Sequence, residues 1–262
     1  MNRDDLVEQL RSAGCVFAED EADLVLANLG SGSDTQVDAY VERRRLGEPS
    51  EYILGWADLA GVRVAVGPGV FIPRPWSESL VLRAAALLGP AGGGTAIDLG
   101  TGSGAIALAI RALLPDVTIW ATEIDHTAAR WAEINFASAE GLTVRTGDLY
   151  DALPGALTGC VDVIVGSLPY VPGDGLDALP RDHLVHEPLA AFDGGDGGLA
   201  TVRRAIEGAP RWLRRPGYIL LEIGVGQGAS ALGIAAAKGF TDPVLHRDSD
   251  GGELFIEATL PG

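Results

Sequence analysis

The segment Asp98-Leu-Gly-Thr-Gly-Ser-Gly104 sets a carboxylate just before glycines at alternating positions. A short apolar run ends at Ile97, and Ala105-Ile-Ala-Leu-Ala-Ile-Arg111 opens a helix directly afterwards. Residues of this kind hold a ligand. Gly100, Gly102 and Gly104 let the backbone turn sharply and let a bound group lie against it with no Cβ in the way. Thr101, set between them, belongs to the same candidate surface. The spacing Gly100-x-Gly102-x-x-Ala105 also fits a dinucleotide fingerprint, which keeps an NAD-type reading open. Asp98 argues the other way. A carboxylate at a strand end repels a pyrophosphate and suits the ammonium group of S-adenosylmethionine, which carries no phosphate.

Further polar residues fall where strands should end. Glu123 lies about 20 residues past the glycine turn, where a carboxylate binds ribose hydroxyls. Asp125 is the nearby rival, and the plainer reading of both is surface charge at a strand end. Asp148, in Thr146-Gly-Asp-Leu-Tyr150, is placed to meet an adenine amino group or to serve as an ordinary turn aspartate. Gly166-Ser-Leu-Pro-Tyr-Val-Pro172 puts prolines on both sides of an aromatic, a stiff loop suited to holding a reacting group. His126, His183, His186 and His246 do not fall at metal-ligand spacing, so no metal site is expected. Arg43-Arg-Arg45 reads as a solvated helix face. Trp56, Trp76, Trp120, Trp131 and Trp212 are scattered and read as packing, with Trp76 next to Phe71-Ile-Pro-Arg-Pro75.

The elements that must position these residues follow from periodicity. Leu6, Val7 and Leu10 share one helical face; Ala22, Val25, Leu26 and Leu29 share another; Val37, Tyr40 and Val41 begin a third, with Asp34 or Thr35 as its cap. Gly47-Glu-Pro49 breaks that helix, an irregular stretch follows from Glu51, and Val62–Val66 alternates as a short strand. From Glu78 the pattern alternates: helix 78–88, strand 95–99, helix 105–114, strand 117–122, helix 127–139 and strand 142–146. Val161–Val165 is the near-continuous apolar run of a buried parallel strand. Helix 199–213, strand 218–223 and helix 230–238 follow, and 244–258 reads as a hairpin around Asp250-Gly-Gly252. Repeated βαβ units predict an α/β fold with a doubly wound parallel sheet and ligands at the carboxyl ends of its strands.

Composition sets limits. With 262 residues and 47% hydrophobic content, the chain suits one α/β domain plus a small appendage. Its 19 basic residues against 36 acidic ones give a net charge of −17, which argues against a broad nucleic-acid or anionic-membrane surface. Cys15 and Cys160 lie far apart and imply no disulfide framework. The first residues lack the blocks of a signal peptide and no apolar run reaches membrane-spanning length, so the cytoplasm is the expected location.

Taken together these motifs resemble the HemK/PrmC family of class I S-adenosylmethionine-dependent methyltransferases, which methylate a glutamine side-chain amide in peptide-chain release factors. The likeness runs over nearly the whole chain. Phe71-Ile-Pro-Arg-Pro75 with Glu78 is similar to the family's linker motif, and Asp98 to Gly104 to its cofactor loop. His186-Glu-Pro188 followed by Gly194-Gly-Asp-Gly197 is similar to its late loop, and Leu221-Glu-Ile-Gly224 with Gln227 to its fifth strand. The resemblance implies a Rossmann-like seven-stranded sheet over 78–262, a helical substrate-recognition domain over 1–60 and a hairpin and linker over 61–77. It implies S-adenosyl-L-methionine as cofactor, held by Asp98, Gly100, Thr101, Gly102, Glu123, Asp148 and Ser167. The acceptor would meet Ser167, Pro169 and Tyr170, with Phe71, Arg74, His186 and Glu187 contacting the substrate. The reaction implied is in-line displacement at a sulfonium methyl, where alignment matters more than a strong base.

One stretch departs from the family. Its catalytic loop reads Asn-Pro-Pro-Tyr, where this chain has Ser167-Leu-Pro-Tyr170. In the family, the Asn carboxamide oxygen and a neighbouring backbone carbonyl accept the N–H bonds of the substrate amide, whose nitrogen is otherwise a poor nucleophile. Ser167 offers one acceptor oxygen, closer to the backbone, and Leu168 keeps its carbonyl without proline's fixed φ. Three alternatives therefore stay open beside glutamine methylation of a release factor. They are methylation of another acceptor (a small metabolite or another protein side chain), a non-catalytic cofactor-binding module, and an NAD oxidoreductase.

Overall fold

An apolar, β-branched run has nowhere to sit but between two layers, and the six residues Val161–Gly166 are all buried. They form one strand of a seven-stranded sheet in the computed structural model of the protein, which describes residues 2–29 and 34–262. Along this strand Val163 and Val165 join the core on one face of the sheet and Ile164 the core on the other, as a period of two requires.

The chain opens with helices α1 (Arg3–Ser12), α2 (Ala18–Leu29) and α3 (Asp34–Arg45). Leu6, Leu10, Val25 and Tyr40 bury one another in a core of their own. Asn2 caps α1 by accepting the Asp5 N–H at 2.9 Å. The cap expected at Asp34 falls on a side chain outside the described residues. The arginine run is not wholly solvated: Arg44 Nε donates to Glu21 Oε1 at 2.6 Å and ties α3 to α2.

Two elements here were hidden from periodicity by their shortness. They are α4 (Ser50–Leu54) and β1 (Trp56–Leu59). β1 pairs antiparallel with β2 (Val62–Ala65), Leu59 opposite Val62. The irregular stretch expected from Glu51 is thus a helical turn and a strand, and the hairpin begins at Trp56 instead of 61. Its turn has positive φ at Ala60 and Gly61. Ala57, Leu59, Val64 and Val66 pack in the main core with Leu80 and Ile110.

From Ser77 strands and helices alternate: α5 (Ser77–Leu88), β3 (Gly94–Leu99), α6 (Ala105–Leu113), β4 (Val117–Glu123), α7 (His126–Phe136) and β5 (Leu142–Thr146). Then come β6 (Val161–Gly166), α8 (Arg181–His186), α9 (Ala200–Trp212), β7 (Leu213–Glu222), α10 (Gly228–Ala237), β8 (Thr241–Arg247) and β9 (Glu253–Leu260). The order in the sheet is β5-β4-β3-β6-β7-β9-β8. Neighbours from β5 to β7 are parallel, and β9 runs antiparallel to both β7 and β8. The sheet is therefore mixed, the C-terminal hairpin adding antiparallel strands to the parallel sheet expected.

The winding reverses between β3 and β6, and a cleft belongs at that switch point. The register decides which residues meet there. Leu99 pairs with Thr122 on one side and Gly166 on the other, and Gly166 pairs with Leu221. One residue further along each strand come Gly100, Glu123, Ser167 and Glu222, which form a row across the sheet's carboxyl edge. Among the described residues no helix is long and apolar enough to cross a membrane.

Candidate active site

The cofactor-loop side of the cleft is bare backbone. Gly100 and Gly102 have φ of 63° and 57°, a region closed to most side chains. A Cβ on Gly100 would stand 2.8 Å from Leu168 Cδ2, so the loop after β6 crosses close over it. At Gly102 a Cβ would meet nothing nearer than Val70 Cγ2 at 4.0 Å. Both glycines line a cavity of about 460 Å³, the size of a small-molecule site.

Asp98 does not reach that cavity. It is fully buried behind the loop, where its Oδ2 accepts from Thr101 Oγ1 at 2.6 Å. This bond shapes the turn, while Asp98 Oδ1 is buried with no hydrogen-bond partner among the described residues. Burial drives its carboxyl up to about 7, against the pull of the Thr101 hydroxyl and the Ala107 N–H.

Glu123 does line the cavity. Its Oε2 accepts the Gly102 N–H and its Oε1 the Asp125 N–H, each at 2.9 Å. Burial raises this carboxyl too, and those N–H groups oppose the rise. Asp125 has other work: it caps α7, accepting from the N–H groups of Thr127 at 2.8 Å and Ala128 at 2.9 Å. Asp148 reaches the same cavity and accepts from Arg204 Nη2 at 2.6 Å.

Across the cleft, Ser167, Pro169 and Tyr170 form the opposing wall. Ser167 Oγ donates to Glu222 Oε2 at 2.6 Å. Glu222 is buried, which raises its carboxyl, while the side chains of Ser167, Ser77 and Trp76 hold it down. The Tyr170 phenol is pushed up to about 12, chiefly by burial. Gln227 braces this loop: its Nε2 donates to the carbonyls of Tyr170 at 2.8 Å and Gly197 at 3.0 Å, and its Oε1 accepts the Gly224 N–H at 2.7 Å.

The linker supplies a third wall. Phe71 and Arg74 face the cavity, with Phe71 edge-on to Phe192 at 5.4 Å and the Arg74 guanidinium 4.6 Å above the Phe71 ring. Glu187, expected to contact substrate, lies outside the cavity wall and is occupied elsewhere. It is buried, its Oε2 accepts the Ile72 N–H at 2.8 Å, and its Oε1 pairs with Arg74. His186 is half-buried and likewise stands outside the wall. Of the other histidines, His126 is exposed, His246 bonds Glu257 at 2.8 Å, and the side chain of His183 lies outside the described residues.

Sequence reasoning passed over several wall and brace residues. Glu222 entered only within the motif Leu221-Glu-Ile-Gly224, although it carried a usable signal, an acid at the end of the apolar strand Tyr218-Ile-Leu-Leu221. Gln227 entered only as part of a motif. Arg204 and Thr201, which also line the cavity, sit on α9 far along the chain and offer no local sign.

Residues 67–215 match the family model "Methyltransferase small domain". The release factor glutamine methyltransferase of Gloeobacter violaceus is 38% identical over 199 residues, 74% of this chain and 68% of that protein. That of Coxiella burnetii is 36% identical over 242 residues, 90% of this chain and 85% of its own. The chain belongs to the release factor glutamine methyltransferase family. Solved structures agree in fold. A methyltransferase from Pyrococcus furiosus superposes with a TM-score of 0.56 at 18% identity, covering 77% of this chain and 90% of that one. M. jannaschii TYW2 in complex with AdoMet does so with a TM-score of 0.51 at 12% identity, over 78% and 84%.

Members of this family are methyltransferases that use S-adenosyl-L-methionine, and so is this chain. The cavity fits that group. Bare backbone at Gly102 leaves room for close approach, and Thr122 Oγ1, a buried atom of the same wall, has no partner among the described residues. Glu123 and Asp148 offer acceptors to hydroxyl and amino groups. The lining arginines are already committed, Arg74 to Glu187 and Arg204 to Asp148, which leaves a pyrophosphate poorly served. The dinucleotide reading falls on that chemistry.

Proposed function

We propose that this enzyme methylates the side-chain amide nitrogen of a glutamine in a peptide-chain release factor. The observation that carries the reading is the position of Ser167, which lines the cavity and stands in the same edge row as Gly100 and Glu123. The names of the relatives support the acceptor.

Bound S-adenosylmethionine supplies an electrophilic methyl group. Gly100, Thr101, Gly102 and Glu123 hold it, Asp148 meets its adenine, and Asp98 keeps the loop in shape from behind. Ser167 Oγ and the Leu168 carbonyl each accept one N–H of the amide and fix its plane. Pro169 stiffens the loop, and Tyr170 packs against the acceptor. Phe71 and Arg74 shape the entrance on the substrate side. Residues 1–60 orient the protein substrate, 61–77 link, and 78–262 carry out transfer. The cytoplasm is the proposed location, in keeping with unpaired Cys15 and Cys160.

Incubation with methyl-labelled cofactor and purified release factor, followed by fragment mass analysis, tests the reading. A single methyl on one glutamine is expected. A methyl on another residue, or none under conditions where the cofactor binds, overturns it.

A further inference from the structure

Ser167 stands where the family has a carboxamide, and a hydroxyl can point its hydrogen either way. As a donor toward the cleft it would repel an amide N–H; as an acceptor it would hold one. Something must choose. Its Oγ lies 2.6 Å from Glu222 Oε2, and an ionised carboxylate only accepts hydrogen bonds. The hydroxyl hydrogen is therefore spent on Glu222, and the lone pairs of Oγ are left for the cleft.

We propose, resting on the reading above, that Glu222 is a positioning residue that fixes Ser167 Oγ as the acceptor for a substrate amide N–H. The placement is specific. Glu222 ends β7 directly beside the Ser167 strand, is buried, and lies outside the cavity wall, so it acts through Ser167. A bond to a charged partner is also stronger than a neutral one and polarises the hydroxyl further. Burial raises the Glu222 carboxyl, with the side chains of Ser167, Ser77 and Trp76 pulling against that rise, and in the structure Ser167 Oγ is the donor and Glu222 Oε2 the acceptor. With Ser167 in place of the family's asparagine, the glutamate of the fifth-strand motif thus sets which way the acceptor points.

The test is a double-mutant cycle on the full chain, comparing Ser167→Ala, Glu222→Gln and the pair. Glutamine keeps the shape and removes the charge, so its amide can turn the Ser167 hydroxyl toward the cleft. Each single change is expected to lower kcat on release factor by roughly ten- to a hundredfold. The pair should lose no more than one alone, while the KM for S-adenosylmethionine and the binding of S-adenosylhomocysteine stay unchanged. Additive losses, or a silent Glu222→Gln, overturn the assignment of Glu222 and leave the methyltransferase reading standing. Failure of the unaltered chain to bind or methylate release factor overturns that reading and takes this one with it. Loss of S-adenosylhomocysteine binding in Glu222→Gln assigns it a structural role and overturns the proposal as well.

Discussion

Glu187 Oε2 accepts the backbone N–H of Ile72 at 2.8 Å, across 115 positions of sequence. The same carboxylate pairs with Arg74, which in turn lies over Phe71. One buried acid in the late loop therefore sets where the linker runs and how its wall of the cavity stands. Phe71 in turn meets Phe192, whose carbonyl accepts the Val171 N–H at 2.9 Å.

Glu187→Ala is expected to cost about 2–4 kcal/mol of stability, because it leaves a buried N–H and a largely buried guanidinium without that partner. Turnover should fall further than cofactor binding, since the linker wall moves and the glycine loop does not. Urea unfolding and calorimetry check both parts. A stability change below about 0.5 kcal/mol would show that water replaces the carboxylate at no cost.

What the sequence made legible was the alternating domain and its strand ends. Long apolar strands and amphipathic helices carry their own period, so Val161–Val165 and the helix from Ala105 could be placed by inspection. Their ends then gave Gly100, Glu123 and Ser167, because ligands gather at strand carboxyl ends. Misplacement came where one residue type serves two tasks. Asp98 and Glu187 both read as ligand contacts, yet both are buried: Asp98 Oδ2 accepts from Thr101 while its Oδ1 has no partner among the described residues, and Glu187 spends its oxygens on Ile72 and Arg74. Composition cannot separate a carboxylate facing a cavity from one facing a backbone N–H. The link between Ser167 and Glu222 was equally hidden, since 55 residues separate them and only the β6–β7 register brings them together.

Asp98 gives a pH signature. Its carboxyl is raised by burial from 3.8 to about 7, so between those values the folded chain keeps a proton that the unfolded chain has released. Its contribution to stability is whole below pH about 4 and is lost as the pH climbs through about 7. The loss is on the order of 4 kcal/mol at most. Asp98→Asn should flatten that part of the curve, measured by urea unfolding from pH 4 to 8 against the unaltered chain. Parallel curves for the two proteins would mean that Asp98 is ionised throughout.

The N-terminal helices offer a separable test. They bury their own core, while the Tyr52 hydroxyl of α4 donates to the Val70 carbonyl and belongs to the main one. A chain beginning at Pro49 keeps α4 and the hairpin intact. It is expected to bind S-adenosylhomocysteine as the full chain does and to lose most of its turnover on release factor. Undiminished turnover would remove substrate recognition from residues 1–48 and favour recognition by the linker and loops alone.

Ser167→Asn is the most direct probe of the departure from the family's loop. An asparagine carries an NH₂ to donate to Glu222 and a carbonyl oxygen to offer the amide. It therefore keeps the internal bond and places a stronger acceptor further into the cleft. The expected result is a gain in kcat on release factor of roughly threefold to thirtyfold, or about 0.7–2 kcal/mol of transition-state stabilisation. The KM for S-adenosylmethionine should not move. Restoring the second residue as well is not expected to help. Leu168 is buried, and its Cδ2 fills the space over Gly100, so Leu168→Pro should cost about 2–3 kcal/mol of stability through the lost side chain. The single change should thus outperform the double. A loss of activity in Ser167→Asn, with cofactor binding intact, would mean that this loop is matched to serine, and that the Ser167–Glu222 pair sets which acceptor the enzyme takes.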